Sequence, residues 1–155
     1  MGYIDKDLIW ETQKVGVLTG GFQTRMTNTY LKRRQELILV VDNDPCVKDT
    51  TRDILERYGH NVLSAGGRGE TLAHFQERGK EIAVVLLDTL VLDAGDDFLQ
   101  QMLAINPAVK VVVTSIYTHG WDLPNVAGMG AAAFLKKPYR MADLLRTIEH
   151  VQKIQ

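Results

Sequence analysis

The 155-residue chain contains one cysteine, Cys46, and four prolines, and only 7% of its residues are aromatic. A single thiol excludes an intramolecular disulfide framework and suits a reducing, cytoplasmic setting. No apolar run reaches the roughly 18–20 residues that a membrane span needs. The start, Met-Gly-Tyr-Ile-Asp-Lys-Asp, lacks the basic patch and apolar stretch of a signal peptide. Charge of one sign is also missing. Eighteen Lys+Arg against 19 Asp+Glu leave a net −1, which excludes a strongly basic nucleic-acid clamp. The four histidines (His60, His74, His119, His150) do not stand at zinc spacing to one another or to Cys46. Neither Gly-x-Gly-x-x-Gly nor a Gly-Lys-Ser/Thr phosphate loop occurs after a strand pattern. The remaining composition, 45% apolar and 24% charged, is that of an ordinary globular domain.

Residues 1–36 differ from the rest. They carry six basic and four acidic groups against 12 and 15 in the remainder, and their apolar residues show no sustained period. This segment reads as an extension or linker, too short to bury its own core. A domain is expected over 37–155. There, short branched runs read as buried strands: Leu37–Val41, Ala83–Leu87 and Val111–Val113, with Asn61–Ala65 and Ala133–Leu135 as weaker ones. Between them lie amphipathic segments. Val47, Thr51, Ile54, Leu55 and Tyr58 share a helical face, with Asp44 as N-cap, Pro45 at the first position and Gly59 as the stop. Leu72 and Phe75 mark a second helix, Phe98–Leu103 a third and Met141–Val151 the last; a fourth, near 119–129, is weakened by Gly120, Pro124 and Gly128. Gly66-Gly67-Arg68-Gly69 reads as a flexible turn.

Alternating strands and helices imply an α/β fold, a parallel sheet with helices on both faces. Right-handed crossovers send every strand-to-helix loop to the carboxyl edge, where such sheets bind ligands. The residues following the strands there are Asp42, Asn43 and Asp44, then Asp88, then Thr114 and Ser115, then Lys136, Lys137 and Pro138. Oxygen ligands of this kind favour a hard divalent cation, and a small octahedral site suits Mg²⁺. With a lysine added, the pocket can take a phosphoryl group, and an aspartate can attack phosphorus.

The segments Val40–Pro45, Leu86–Asp88, Val113–Ser115 and Phe134–Tyr139 together resemble the receiver domain of two-component response regulators. The resemblance covers about residues 37–152 and implies a doubly wound, flavodoxin-like sheet of strand order 2-1-3-4-5. It implies that Asp88 is the phosphoacceptor, served by a histidine kinase or phosphotransfer protein. It implies that Asp42, Asn43, Asp88 and the backbone carbonyl of Leu90 hold Mg²⁺, and that Lys137 pairs with a phosphoryl oxygen. The phosphate-binding hydroxyl is Thr114 or Ser115; counting from Pro107 favours Ser115. Phe134 matches the aromatic switch position. The expected role is a stand-alone signalling receiver and not an enzyme. Output would pass by protein contact to a downstream target, with homodimerisation through the last strand and the last two helices.

Departures from the family pattern keep a second reading open. Asn43 replaces a second acidic residue, Leu92 a proline and Ile116 a small residue, and the loop Asp93–Asp96 is about one residue short. The alternative is a degenerate receiver that acts as a phosphorylation-independent interaction module. A third reading is a small phosphate- or flavin-binding protein of similar topology.

Overall fold

In a computed structural model, residues 36–92, 97–116 and 127–154 are described, all within one unit, Gln35–Gln155. The expected extension (except Glu36), the loop 93–96, His119, Trp121 and most of the 119–129 segment lie outside them. Five parallel strands, β1 (Leu37–Val41), β2 (Asn61–Ala65), β3 (Ile82–Asp88), β4 (Lys110–Ser115) and β5 (Ala133–Lys136), form one sheet in the order 2-1-3-4-5. Four described helices connect or follow them: α1 (Pro45–Arg57), α2 (Arg68–Arg78), α3 (Phe98–Ile105) and α4 (Met141–Gln152). The alternating pattern pointed to this parallel α/β sheet, and the family resemblance implied its doubly wound strand order.

The central strands are buried on both sides, which is why β1 and β3 read as unbroken apolar runs. Their alternation sorts side chains into two cores. Leu39, Val41, Leu87 and Val113 pack with Phe75 of α2 and Phe98 and Met102 of α3 on one face. Ile38, Val40, Leu86 and Val112 pack with Leu55 of α1 and Leu144, Ile148 and Val151 of α4 on the other. Truncating one fully buried member such as Phe75 or Ile148 should cost about 2–5 kcal/mol, transfer and cavity terms together.

The local signals act as read. Asp44 Oδ1 accepts the Cys46 and Val47 N–H groups at 2.9 and 3.3 Å, and Pro45 occupies the first turn. Gly59, at φ 85°, follows the C-cap residue Tyr58 in a conformation that penalises a side chain. One local reading is corrected. Arg68 and Gly69 belong to the first turn of α2 rather than to a flexible turn. Two hydrogen bonds override the weak helix preference of the glycines: Thr71 Oγ1 donates to the Gly67 carbonyl at 2.8 Å, and Gly66 N–H to Glu70 Oε2 at 3.1 Å.

Candidate functional site

Asp42 follows β1, Asp88 ends β3, and Lys137 follows β5, so three loops far apart in sequence meet at the carboxyl edge. Lys137 Nζ lies 2.6 Å from Asp42 Oδ2 and 3.3 Å from Asp88 Oδ1. Both carboxylates are almost wholly buried, at 4% and 3% exposure. Asp42 Oδ1 accepts the Asp44 N–H at 2.9 Å, which ties the carboxylate to the start of α1. Asp88 Oδ2, by contrast, is buried with no hydrogen-bond partner among the described residues. A buried anionic oxygen without a donor is costly, and an added cation would relieve it.

Electrostatics follow from this packing. Burial pushes the Asp88 carboxyl above its ordinary value; the Lys137 ammonium pulls it down and the Asp42 charge pushes it further up. For Lys137 burial acts downward, but the hydrogen bond and charge of Asp42, together with Asp88, outweigh it, and the ammonium is held above its ordinary value.

Strand register decides which side chains share the site. Asp88 pairs directly with Thr114 across β3 and β4. Asp42, Asp88 and Thr114 continue the alternation of Val40, Leu86 and Val112, whose side chains lie on the α1 and α4 face. Ser115 continues the opposite alternation, that of Val113. It is fully buried, and its Oγ accepts the Thr89 hydroxyl at 2.9 Å. Register therefore points to Thr114, the residue that counting from Pro107 disfavoured. Parity and the count thus favour different hydroxyls, since strand parity rather than distance from a turn sets the face. Phe134 is half-buried against the α2 and α3 core.

Oxygen donors suited to Mg²⁺ are present in the carboxylates of Asp42 and Asp88, with the orphaned Oδ2; in sequence, Asn43 stands next to Asp42 and Leu90 two residues after Asp88. The hard oxygen chemistry of this set fits the ion. Among the described residues no three His, Cys, Asp or Glu side chains come together as a metal cluster. Asn43 and Asp44 are exposed, and Asp44 is spent on the helix cap.

Two features carried no sequence signal. Tyr139 Oη and Thr51 Oγ1 share a hydrogen bond of 2.9 Å that joins the lysine loop to α1. Burial raises the Tyr139 hydroxyl above its usual value. Arg68 reaches from α2 to the turn after Asp88, donating to the Val91 carbonyl at 3.0 Å.

A family model described as the response regulator receiver domain matches residues 38–149. The chain belongs to this family. The receiver of Methanospirillum hungatei JF-1, described as CheY-like, superposes with a TM-score of 0.66 at 30% identity, covering 76% of this chain and 94% of that one. Among curated relatives, the protein-glutamate methylesterase/protein-glutamine glutaminase 1 of Paramagnetospirillum magneticum is 35% identical over 112 residues, 69% of this chain and 29% of that protein. The transcriptional regulatory protein ZraR of Escherichia coli O157:H7 is 28% identical over 112 residues, 72% of this chain and 25% of that protein. The chain thus spans between a quarter and a third of the length of these two relatives.

Proposed function

We propose that this receiver accepts a phosphoryl group on Asp88 from the phosphohistidine of a kinase or phosphotransfer protein, in a Mg²⁺-dependent reaction. A carboxylate oxygen of Asp88 attacks phosphorus while the phosphorus–nitrogen bond to the imidazole breaks, and the imidazole keeps the electron pair and takes a proton. The observation that carries this reading is the buried, partnerless Asp88 Oδ2 beside a lysine that already bridges two carboxylates. Asp42, Asn43, Asp88 and the Leu90 carbonyl would hold Mg²⁺, which supplies charge neutralisation for the transferring group. Lys137 would pair with a phosphoryl oxygen. Thr114, the register partner of Asp88, would donate its hydroxyl to another, with Ser115 as the competing assignment. Phe134 would report the change by moving inward.

Intact-mass measurement after incubation with Mg²⁺ and a small-molecule phosphodonor tests the reading. A gain of about 80 Da that disappears in Asp88→Asn supports it; no gain, or a gain that survives the substitution, sinks it.

A signal of this kind acts by population shift and passes to a downstream protein. The β5 edge of the domain, with Phe134 on one face and Tyr139 and α4 on the other, would offer a surface to such a partner or to a second copy of the chain. The reading places the protein in the cytoplasm, off the membrane and without direct nucleic-acid contact. No helix of the described residues is long and apolar enough to cross a membrane.

One observation favours a second reading, a receiver that works as an interaction module without phosphorylation: Asn43 leaves the pocket one acid short, and Lys137 already neutralises part of the remaining charge. A Mg²⁺ titration followed by NMR separates the two, because a degenerate pocket gives no saturable response.

A further inference from the structure

Arg68 is the first residue of α2, yet it acts on a different part of the chain. Its Nε–H donates to the Val91 carbonyl at 3.0 Å, and its guanidinium carbon lies 4.8 Å from the centroid of the Phe98 ring. One half-buried side chain thereby touches both ends of the stretch 92–97. On one side is the 3-10 turn Thr89–Val91 that directly follows Asp88; on the other is the first residue of α3. A guanidinium suits this double contact because it donates along its edge while its face rests on an aromatic ring. An ammonium has neither a flat face nor a fork of donors, so it would serve both contacts from a single point of charge and less well.

The fastened turn is itself specific. Thr89 and Val91 are buried while Leu90 between them is 58% exposed. Thr89 Oγ1 donates to Ser115, and the Leu92 N–H closes the turn on the Thr89 carbonyl at 3.0 Å. The turn is thus pinned from β4 at its start and from Arg68 at its end, and Leu90 is the residue held between.

We propose that Arg68 is a positioning residue for the phosphoacceptor loop, fastening Val91 and Phe98 so that the Leu90 carbonyl is held beside Asp88. This rests on the Mg²⁺-dependent phosphoacceptor reading above. It assigns the Gly66–Gly69 stretch a role in setting metal affinity from a neighbouring loop, as supporting groups behind metal ligands do.

The test uses the full chain with Arg68→Ala and Arg68→Lys. Amide hydrogen exchange without Mg²⁺ should show the Leu92 N–H exchanging about tenfold faster in both variants, with amides of β1 unchanged. Calorimetric titration should show Mg²⁺ affinity lowered roughly tenfold in both. Wild-type exchange at Leu92 in the alanine variant overturns the proposal. So does an equal acceleration of β1 amides, which would make Arg68 a general stabiliser, or full rescue by lysine, which would make its charge alone sufficient. A wild-type chain that binds no Mg²⁺ and gains no phosphoryl mass defeats the phosphoacceptor reading instead, and the exchange at Leu92 still decides whether Arg68 fastens the loop.

Discussion

Lys137 Nζ lies 2.6 Å from Asp42 Oδ2, a contact that joins the end of β1 to the end of β5 across 95 positions of sequence. The same ammonium is 3.3 Å from Asp88, so it is the internal counter-ion of two buried carboxylates. Lys137→Met keeps the apolar stem and removes the charge. It should lower stability by about 3 kcal/mol, because it strands buried anions. Added Mg²⁺ should recover much of this loss, and the variant should bind the ion more tightly than wild type while accepting phosphoryl groups more slowly. Thermal melts and calorimetry with and without Mg²⁺ check this; unchanged Mg²⁺ affinity would show that lysine and metal do not share the site.

The shifted groups set opposite pH limbs. Burial, with help from the Asp42 charge and against the pull of Lys137, holds the Asp88 carboxyl above 3.8. Between 3.8 and that raised value the folded chain keeps a proton that the unfolded chain has released. Stability therefore falls as pH rises through this window, and the cost is complete above it. Asp88→Asn removes the cost, so urea melts should find it more stable than wild type near pH 7, with the gap closing toward 3.8. Lys137 acts at the other end. Its ammonium is held above 10.5 because the carboxylates outweigh burial. Its contribution is complete below 10.5 and is lost as pH climbs through the raised value. Lys137→Met should lack that alkaline loss.

Thr114 and Ser115 should separate cleanly under substitution. Thr114→Ala removes the hydroxyl in register with Asp88 and should slow phosphoryl labelling roughly tenfold, an effect of about 1.4 kcal/mol on the barrier, with little change in melting. Ser115→Ala leaves the buried Thr89 hydroxyl without its acceptor and should cost about 1–3 kcal/mol of stability with labelling nearly intact. The reverse pattern would return the phosphate-binding role to Ser115.

The middle of the sheet was legible because its strands are buried on both faces: runs such as Leu37–Val41 and Ala83–Leu87 need no partner to be recognised. Asp42, Asp88 and Lys137 were legible because right-handed crossovers bring strand ends to one edge. The choice between Thr114 and Ser115 was not, since two adjacent hydroxyls at a strand end differ only in the face they take, and that is fixed by pairing with β3. Arg68 was invisible for another reason. Its partners, Val91 and Phe98, lie 23 and 30 positions away, and an arginine among glycines has no local pattern that reveals so long a reach.

Asn43 is the substitution that should most change the affinity of the pocket. It is exposed beside Asp42, so exchanging its amide for a carboxylate adds a charge where the metal would bind without disturbing either core. Asn43→Asp should raise Mg²⁺ affinity roughly tenfold, because affinity at oxygen sites follows the count of charged ligands. Without metal the added carboxylate faces Asp42 and Asp88 with only Lys137 to offset it, so the variant should melt slightly below wild type. In saturating Mg²⁺ the order should invert, since a tenfold tighter site contributes about 1.4 kcal/mol more to the folded state. Paired melts at zero and high Mg²⁺ read both signs in one experiment. A variant that melts lower under both conditions would place position 43 outside the metal site and leave Asp42 and Asp88 as its only acidic ligands.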